Sequence, residues 1–261
     1  MKYCLGIDIG SRNTKIVLIE IESRNIAYCD FCDTGINPVQ TVNSLINKAK
    51  SILRCSEDNI IKTYCTGYGR KMLKSDKVVS EISCHSFGVL HERPEVRTII
   101  DIGGQDSKIV TLDENQHIID FVMNDKCAAG TGRFLEMVAL RLSISCSQLS
   151  EIASKSEMQI SLNNTCVVFA ESEIIGLISK GITANDIAKA VNLSIASRIA
   201  SQLNQLNWKP PVAITGGVAL NKDLYNSISK LIDCRIIVPD NPEITGALGA
   251  AIMALNDYEK D

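Results

Sequence analysis

The sequence predicts an α/β protein made of two related domains. Three observations carry that expectation. A stretch near the N-terminus recurs near residue 100. Short runs of apolar and β-branched residues alternate with runs of helical periodicity. The 261-residue length exceeds what one small core requires.

The repeat is the strongest of these. Ile7-Asp8-Ile9-Gly10-Ser11-Arg12-Asn13-Thr14-Lys15-Ile16-Val17 aligns with Ile100-Asp101-Ile102-Gly103-Gly104-Gln105-Asp106-Ser107-Lys108-Ile109-Val110. Each copy reads as strand, Asp-x-Gly turn, polar loop and second strand, a β-hairpin built on a glycine turn. The flanking strands are Cys4 to Ile9 and Ile16 to Ile21 in the first copy, and Thr98 to Ile102 and Ile109 to Leu112 in the second. A duplication at this separation implies two related domains. The boundary falls near Pro94, after the polar His91-Glu92-Arg93, giving domains 1–95 and 96–261, with the last helix a candidate to pack back on the first.

The remaining elements follow in order. Val42, Leu45, Ile46, Ala49 and Leu53 recur at three-to-four spacing and predict a helix over 38–54. A strand over 60–66 is closed by Gly67-Tyr68-Gly69. Helices are expected over 130–143, 171–180 and 184–206, the last stopped by Pro210-Pro211. Val212 to Thr215 reads as a strand ending in Gly216-Gly217, before a helix from about 221. A strand over 236–238 and a final helix opening at Thr245 complete the chain.

Composition narrows the function. Hydrophobic residues make up 45%, charged residues 22% and net charge is −3, an ordinary globular balance without the basic excess of a nucleic-acid binder. No apolar run reaches membrane-spanning length, and the N-terminus moves straight into a strand pattern without a signal-peptide core. A cytoplasmic location follows, and in that reducing compartment the ten cysteines are expected to be free thiols, with a minority available to metal.

An Asp-x-Gly turn between strands lets the backbone approach a phosphate, aims successive N–H groups at the anion, and offers a carboxylate that holds Mg²⁺ through water. Two such turns can grip one triphosphate. Gly216-Gly217 at a strand-to-helix turn suits the nucleoside end. In this order the motifs resemble the actin and sugar-kinase superfamily of ATPases, which implies two ribonuclease-H-like domains with a nucleotide cleft between them. By that resemblance Asp8, Gly10, Ser11, Arg12, Asn13, Thr14 and Lys15 form the first phosphate loop. Asp101, Gly103, Gly104, Gln105 and Asp106 form the second, with Gly216, Gly217 and Pro242 on the nucleotide and Asp8 and Asp101 on Mg²⁺. Gln105 or Asp106 orients the attacking water. Lys108 is read as a strand-surface residue.

A second constellation sets this chain apart from kinases. Asn124-Asp125-Lys126-Cys127-Ala128-Ala129-Gly130-Thr131-Gly132-Arg133-Phe134 places one cysteine just before a helix, and Thr165-Cys166-Val167-Val168-Phe169-Ala170-Glu171-Ser172-Glu173 places another. A helix N-terminus favours a thiolate and the anionic cluster it would ligate. Two cysteines are half of a cubane's usual four ligands, and a two-fold homodimer supplies the rest. Together with Cys65-Thr66-Gly67-Tyr68-Gly69-Arg70, Asp101 to Asp106 and Thr245 to Ala250, these stretches are similar to the activators of 2-hydroxyacyl-CoA dehydratases. The resemblance implies one [4Fe–4S] cluster shared by Cys127 and Cys166 across a homodimer. It also implies reduction by a ferredoxin or flavodoxin, an ATP-driven opening of the helices about the cluster, and delivery of one low-potential electron to the dehydratase.

The rival readings are a small-molecule kinase, for instance of an amino sugar, a sensor that uses cluster and nucleotide for regulation, and an activator of a benzoyl-CoA reductase or double-cubane-cluster protein. Cys29-x-x-Cys32 has no second pair nearby, and Cys84-His85 reads as a satisfied polar contact. Cys4, Cys55, Cys65, Cys146 and Cys234 read as filler.

Overall fold

The computed structural model describes residues 1–158, 160–162 and 166–260. The chain divides into two compact units, one of Met1–Glu95 together with the residues from Pro239 onward, the other of Val96–Val238.

The first unit opens with the hairpin β1 (Tyr3–Ile9) and β2 (Asn13–Glu20), continued by β3 (Ile26–Asp33). Helix α1 (Pro38–Leu53) follows, its start set by the Asn37 side chain accepting from the Gln40 N–H and by Pro38 at the first helical position. Then come β4 (Ile60–Thr66), the short β5 (Lys77–Val78) and α2 (Glu81–Glu92). The sheet order is β3-β2-β1-β4-β5, antiparallel as far as β1 and parallel beyond it. The parallel β1–β4 pairing requires a crossover, which α1 supplies.

The second unit repeats this plan. Its sheet holds the hairpin β6 (Thr98–Ile102) and β7 (Ser107–Leu112), the edge strand β8 (Ile118–Asn124), then β9 (Val212–Thr215) and β10 (Ile236–Ile237), in the order β10-β9-β6-β7-β8. The crossover from β8 to β9 carries α3 (Gly132–Arg141), α4 (Leu149–Ser154), α5 (Val167–Ser179) and α6 (Ala184–Leu203). Helix α7 (Lys222–Leu231) lies between β9 and β10. Ile187, Val191, Ile195, Ile199 and Leu203 run down α6 fully buried against Phe134, Val138, Ile174 and Ile214. The last helix, α8 (Thr245–Tyr258), belongs to the first unit. The second unit therefore ends at Val238 instead of at the C-terminus. The reason is the small-residue face of α8, where Ala247, Ala250, Ala251 and Ala254 pack in one core with Cys4, Val17, Tyr64 and Cys84.

Several expected elements differ. β3, β8 and α2 carry no clear sequence signal. β3 and β8 are mostly exposed edge strands without a buried apolar alternation. The helix expected over 130–143 begins at Gly132, after a 3₁₀ turn Ala128–Gly130. That expected over 171–180 begins one turn earlier, at Val167. Among the described residues no helix is long and apolar enough to cross a membrane.

Candidate functional site

The two repeats place an aspartate and a lysine directly opposite each other across a hairpin: Asp8 faces Lys15, and Asp101 faces Lys108. In the first unit Asp8 is 4% exposed at the end of β1, and Lys15 Nζ donates to its Oδ2 at 2.9 Å. The turn beyond it is closed by the Gly10 N–H donating to the Asn13 carbonyl at 3.1 Å. The Thr34 hydroxyl donates to the Gly10 carbonyl at 2.8 Å. Thr14 is buried beneath the turn, 3.0 Å from the Thr34 hydroxyl. Ser11 and Arg12 are exposed, with Arg12 paired to Asp33 at 3.1 Å.

In the second unit the lysine of the same plan is more deeply buried. Lys108 is 3% exposed, with Nζ 3.2 Å from Asp101 Oδ2 and 2.8 Å from Asp106 Oδ2. The surface reading of Lys108 is therefore corrected: its strand position faces the buried carboxylate of β6, and the half-buried Asp106 completes an ion triad. The Gly103 N–H donates to the Asp106 carbonyl at 2.9 Å. Gln105 is exposed, and its side chain makes no hydrogen bond among the described residues.

Two glycines let each turn close. Gly67 has φ +92°, and a Cβ there would strike Asp8 Oδ1 and the Ile9 carbonyl. Gly216 has φ +84°, and a Cβ there would strike Asp101 Oδ1 and the Ile102 carbonyl. Both positions are open only to glycine. The repeat thus extends to a glycine from a neighbouring strand end laid over each aspartate, a feature the linear alignment does not display. Gly217 begins a 3₁₀ turn, Gly217–Leu220, so the strand-to-helix turn expected at Gly216-Gly217 contains an extra turn before α7. Pro242 is buried in the first unit, where its carbonyl accepts from the Thr245 hydroxyl at 3.4 Å. His85 Nδ1 lies 3.0 Å from the same hydroxyl.

The cysteines separate by environment. Burial pushes the Cys4 thiol up to about 11 and those of Cys65 and Cys84 to about 12, which keeps them protonated and poor ligands. Cys29 and Cys32 lie three apart on β3 and so project from opposite faces of the strand. Cys55 and Cys234 are half-buried and the exposed Cys146 is the first residue of the 3₁₀ turn Cys146–Gln148, whereas Cys127 and Cys166 occupy N-cap positions. Cys127 caps the 3₁₀ turn Ala128–Gly130, and Cys166 caps α5 and is exposed. Asn163, Asn164 and Thr165, which precede Cys166 in its motif, lie outside the described residues. Among the described residues no three His, Cys, Asp or Glu side chains group to hold a metal ion. Two thiols per chain are half of a cubane's usual ligands.

The Cys127 segment also touches the Gly103–Asp106 turn. At the start of α3 the Gly132 N–H donates to the Gly103 carbonyl at 2.9 Å, and the Arg133 N–H donates to the Gly104 carbonyl at 2.8 Å. The helix that begins five residues after the cysteine thus spends two of its unpaired N–H groups on the glycine carbonyls of the Gly103–Asp106 turn.

Two five-stranded sheets of one strand order, each with an aspartate–glycine turn at the end of its first strand, define a protein of the actin-like ATPase fold. The profile of the BadF/BadG/BcrA/BcrD ATPase family matches residues 5–254, and the chain belongs to that family. It is 39% identical over 262 residues to the 2-hydroxyisocaproyl-CoA dehydratase activator of Clostridioides difficile, with 99% of this chain and 97% of that one covered. It is 40% identical over 259 residues to the activator of lactoyl-CoA dehydratase of Anaerotignum propionicum, with 99% of each covered. The solved structure of the activator of the 2-hydroxyisocaproyl-CoA dehydratase from Clostridium difficile with bound ADPNP superposes with a TM-score of 0.94 at 39% identity, covering 99% of this chain and 96% of that one.

Proposed function

We propose that the chain is the ATP-driven activator of a 2-hydroxyacyl-CoA dehydratase, working as a cytoplasmic homodimer that carries one [4Fe–4S] cluster. The observation that carries this reading is the pair of hydrogen bonds from the start of α3 to Gly103 and Gly104. It joins the phosphate turn to the segment bearing Cys127, so a change at one is felt at the other.

ATP is bound through its phosphates by the Asp8–Lys15 and Asp101–Asp106 turns, with Asp8 and Asp101 holding Mg²⁺ through water. Asp106 is committed to Lys108, whereas Gln105 extends into solvent; this supports Gln105 as the residue that orients the attacking water. Cys127 and Cys166 of each copy hold the cluster. When bound, that cluster supplies a one-electron carrier between a ferredoxin or flavodoxin and the dehydratase. Val168, Phe169, Ile175 and Ile178 leave an exposed apolar stretch on α5 beyond Cys166, which supports a second copy covering it. Nucleotide drives the cycle only by binding two arrangements of the chain with different affinity.

The test is anoxic purification and reconstitution with iron and sulfide. A dimer with about two irons per chain is expected, as four irons shared by two copies require. Cys127→Ser and Cys166→Ser should each lose that iron while retaining ATP binding. A monomer that takes up no iron would refute the reading.

A further inference from the structure

We infer that Arg198 is a positioning residue for the Cys127 sulfur and sets the reduction potential of whatever cluster that sulfur ligates. The inference rests on the cluster reading above and adds a residue to it.

Arg198 sits in the last third of α6, between the fully buried Ile195 and Ile199. Those neighbours fix the helix in the core of the second unit, so the arginine reaches outward from a rigid base. Its Nη1 donates to Cys127 Sγ at 3.6 Å, within the range of a hydrogen bond to sulfur. Gly130 makes room for its stem, since a Cβ at that position would stand 3.2 Å from Arg198 Cδ. The backbone of the cysteine is held by Asn124. The Cys127 N–H donates to Asn124 Oδ1 at 3.1 Å, and Asn124 Nδ2 donates to the Cys127 carbonyl at 2.8 Å. A side-chain amide clamps the main chain while a guanidinium meets the sulfur. Cys127 is therefore oriented by its own chain before any metal arrives, as ligating side chains are by their outer partners.

A guanidinium is a cation whose fork of N–H groups suits an anionic sulfur. A hydrogen bond from a cation to a cluster thiolate stabilises the more negative, reduced form and raises the potential. Through Arg198 the chain limits how low the potential falls.

The experiment uses full-length protein purified and reconstituted without oxygen, with iron content, reconstitution rate and the midpoint potential from a spectroscopic redox titration as readouts. Thermal unfolding and ATP binding check the fold. Arg198→Met is expected to reconstitute several-fold more slowly and to show a downward shift in midpoint. Arg198→Lys keeps a charge but lacks the planar fork, and should restore most of the potential and less of the rate. If Arg198→Met fails to fold, Arg198→Lys carries the test through its slowed reconstitution. Wild-type rate and midpoint in the folded variants would overturn the role of Arg198 and leave the cluster reading standing. Wild-type protein that takes up no iron would overturn both.

Discussion

Replacing Lys108 by methionine tests the ion triad of the Gly103–Asp106 turn directly. The change keeps the stem's volume and removes the charge between two carboxylates at 3.2 and 2.8 Å. At an effective dielectric near 20, each contact is worth about 5–6 kcal/mol of attraction before desolvation is counted. Burying the charges offsets most of that, and removing one member of a buried ion pair costs about 3–5 kcal/mol because its partner is stranded. The Asp106 side chain is 28% exposed, so water screens one arm, whereas that of Asp101 is 4% exposed and has no such relief. The lower end applies, about 3 kcal/mol, which for a chain of this size lowers Tm by about 6–12 °C. Lys15→Met in the first repeat is the internal control. The Lys15 side chain is 17% exposed and among the described residues pairs only with Asp8, at 2.9 Å, so its removal strands one carboxylate instead of two and a smaller loss of about 2 kcal/mol follows. Thermal melts of nucleotide-free protein, followed by circular dichroism, measure both. A Lys108→Met Tm within about 2 °C of wild type, or a larger loss in Lys15→Met, would refute the reasoning.

Two further outcomes concern the same framework. Gly216→Ala forces a side chain into φ +84° against Ile102 and Asp101, and should cost about 3 kcal/mol or more in denaturant unfolding while weakening Mg²⁺-dependent ATP binding. Asp257 on α8 has its carboxyl lowered to about 2, chiefly by the Tyr64 hydroxyl at 2.6 Å and then by Lys77 at 3.0 Å. A depressed carboxylate stabilises the fold above its unfolded value and loses that contribution as pH falls through the folded one. Asp257→Asn should therefore flatten the stability profile between about pH 4 and 2 and lower stability at neutral pH. An unchanged acid limb in the urea midpoints would remove Asp257 from the account.

The hairpins around Asp8 and Asp101, α1 and the buried stripe of α6 were legible because their signals are local. A turn, an alternation or a four-residue spacing is written in adjacent residues. The edge strands β3 and β8 and the helix α2 were not, because each is exposed or mixed in composition and is fixed by pairing or packing partners distant in the chain. The helix-start placement of Cys127 and Cys166 could be read from their motifs, but the Arg198 guanidinium against Cys127 is 71 residues away in sequence and has no linear signature.

By itself the sequence determined the duplicated Asp–Gly hairpins, the α/β class and the two cysteines set before helices, all properties of short segments. The tertiary structure alone decided that Lys108 is buried between two aspartates and that Gly67 and Gly216 lie over the carboxylates of Asp8 and Asp101. It also decided that α8 returns to the first unit and that α3 begins on the carbonyls of Gly103 and Gly104. These contacts join residues far apart in the chain, and their geometry is set by sheet register and close packing, which no window of neighbouring residues contains.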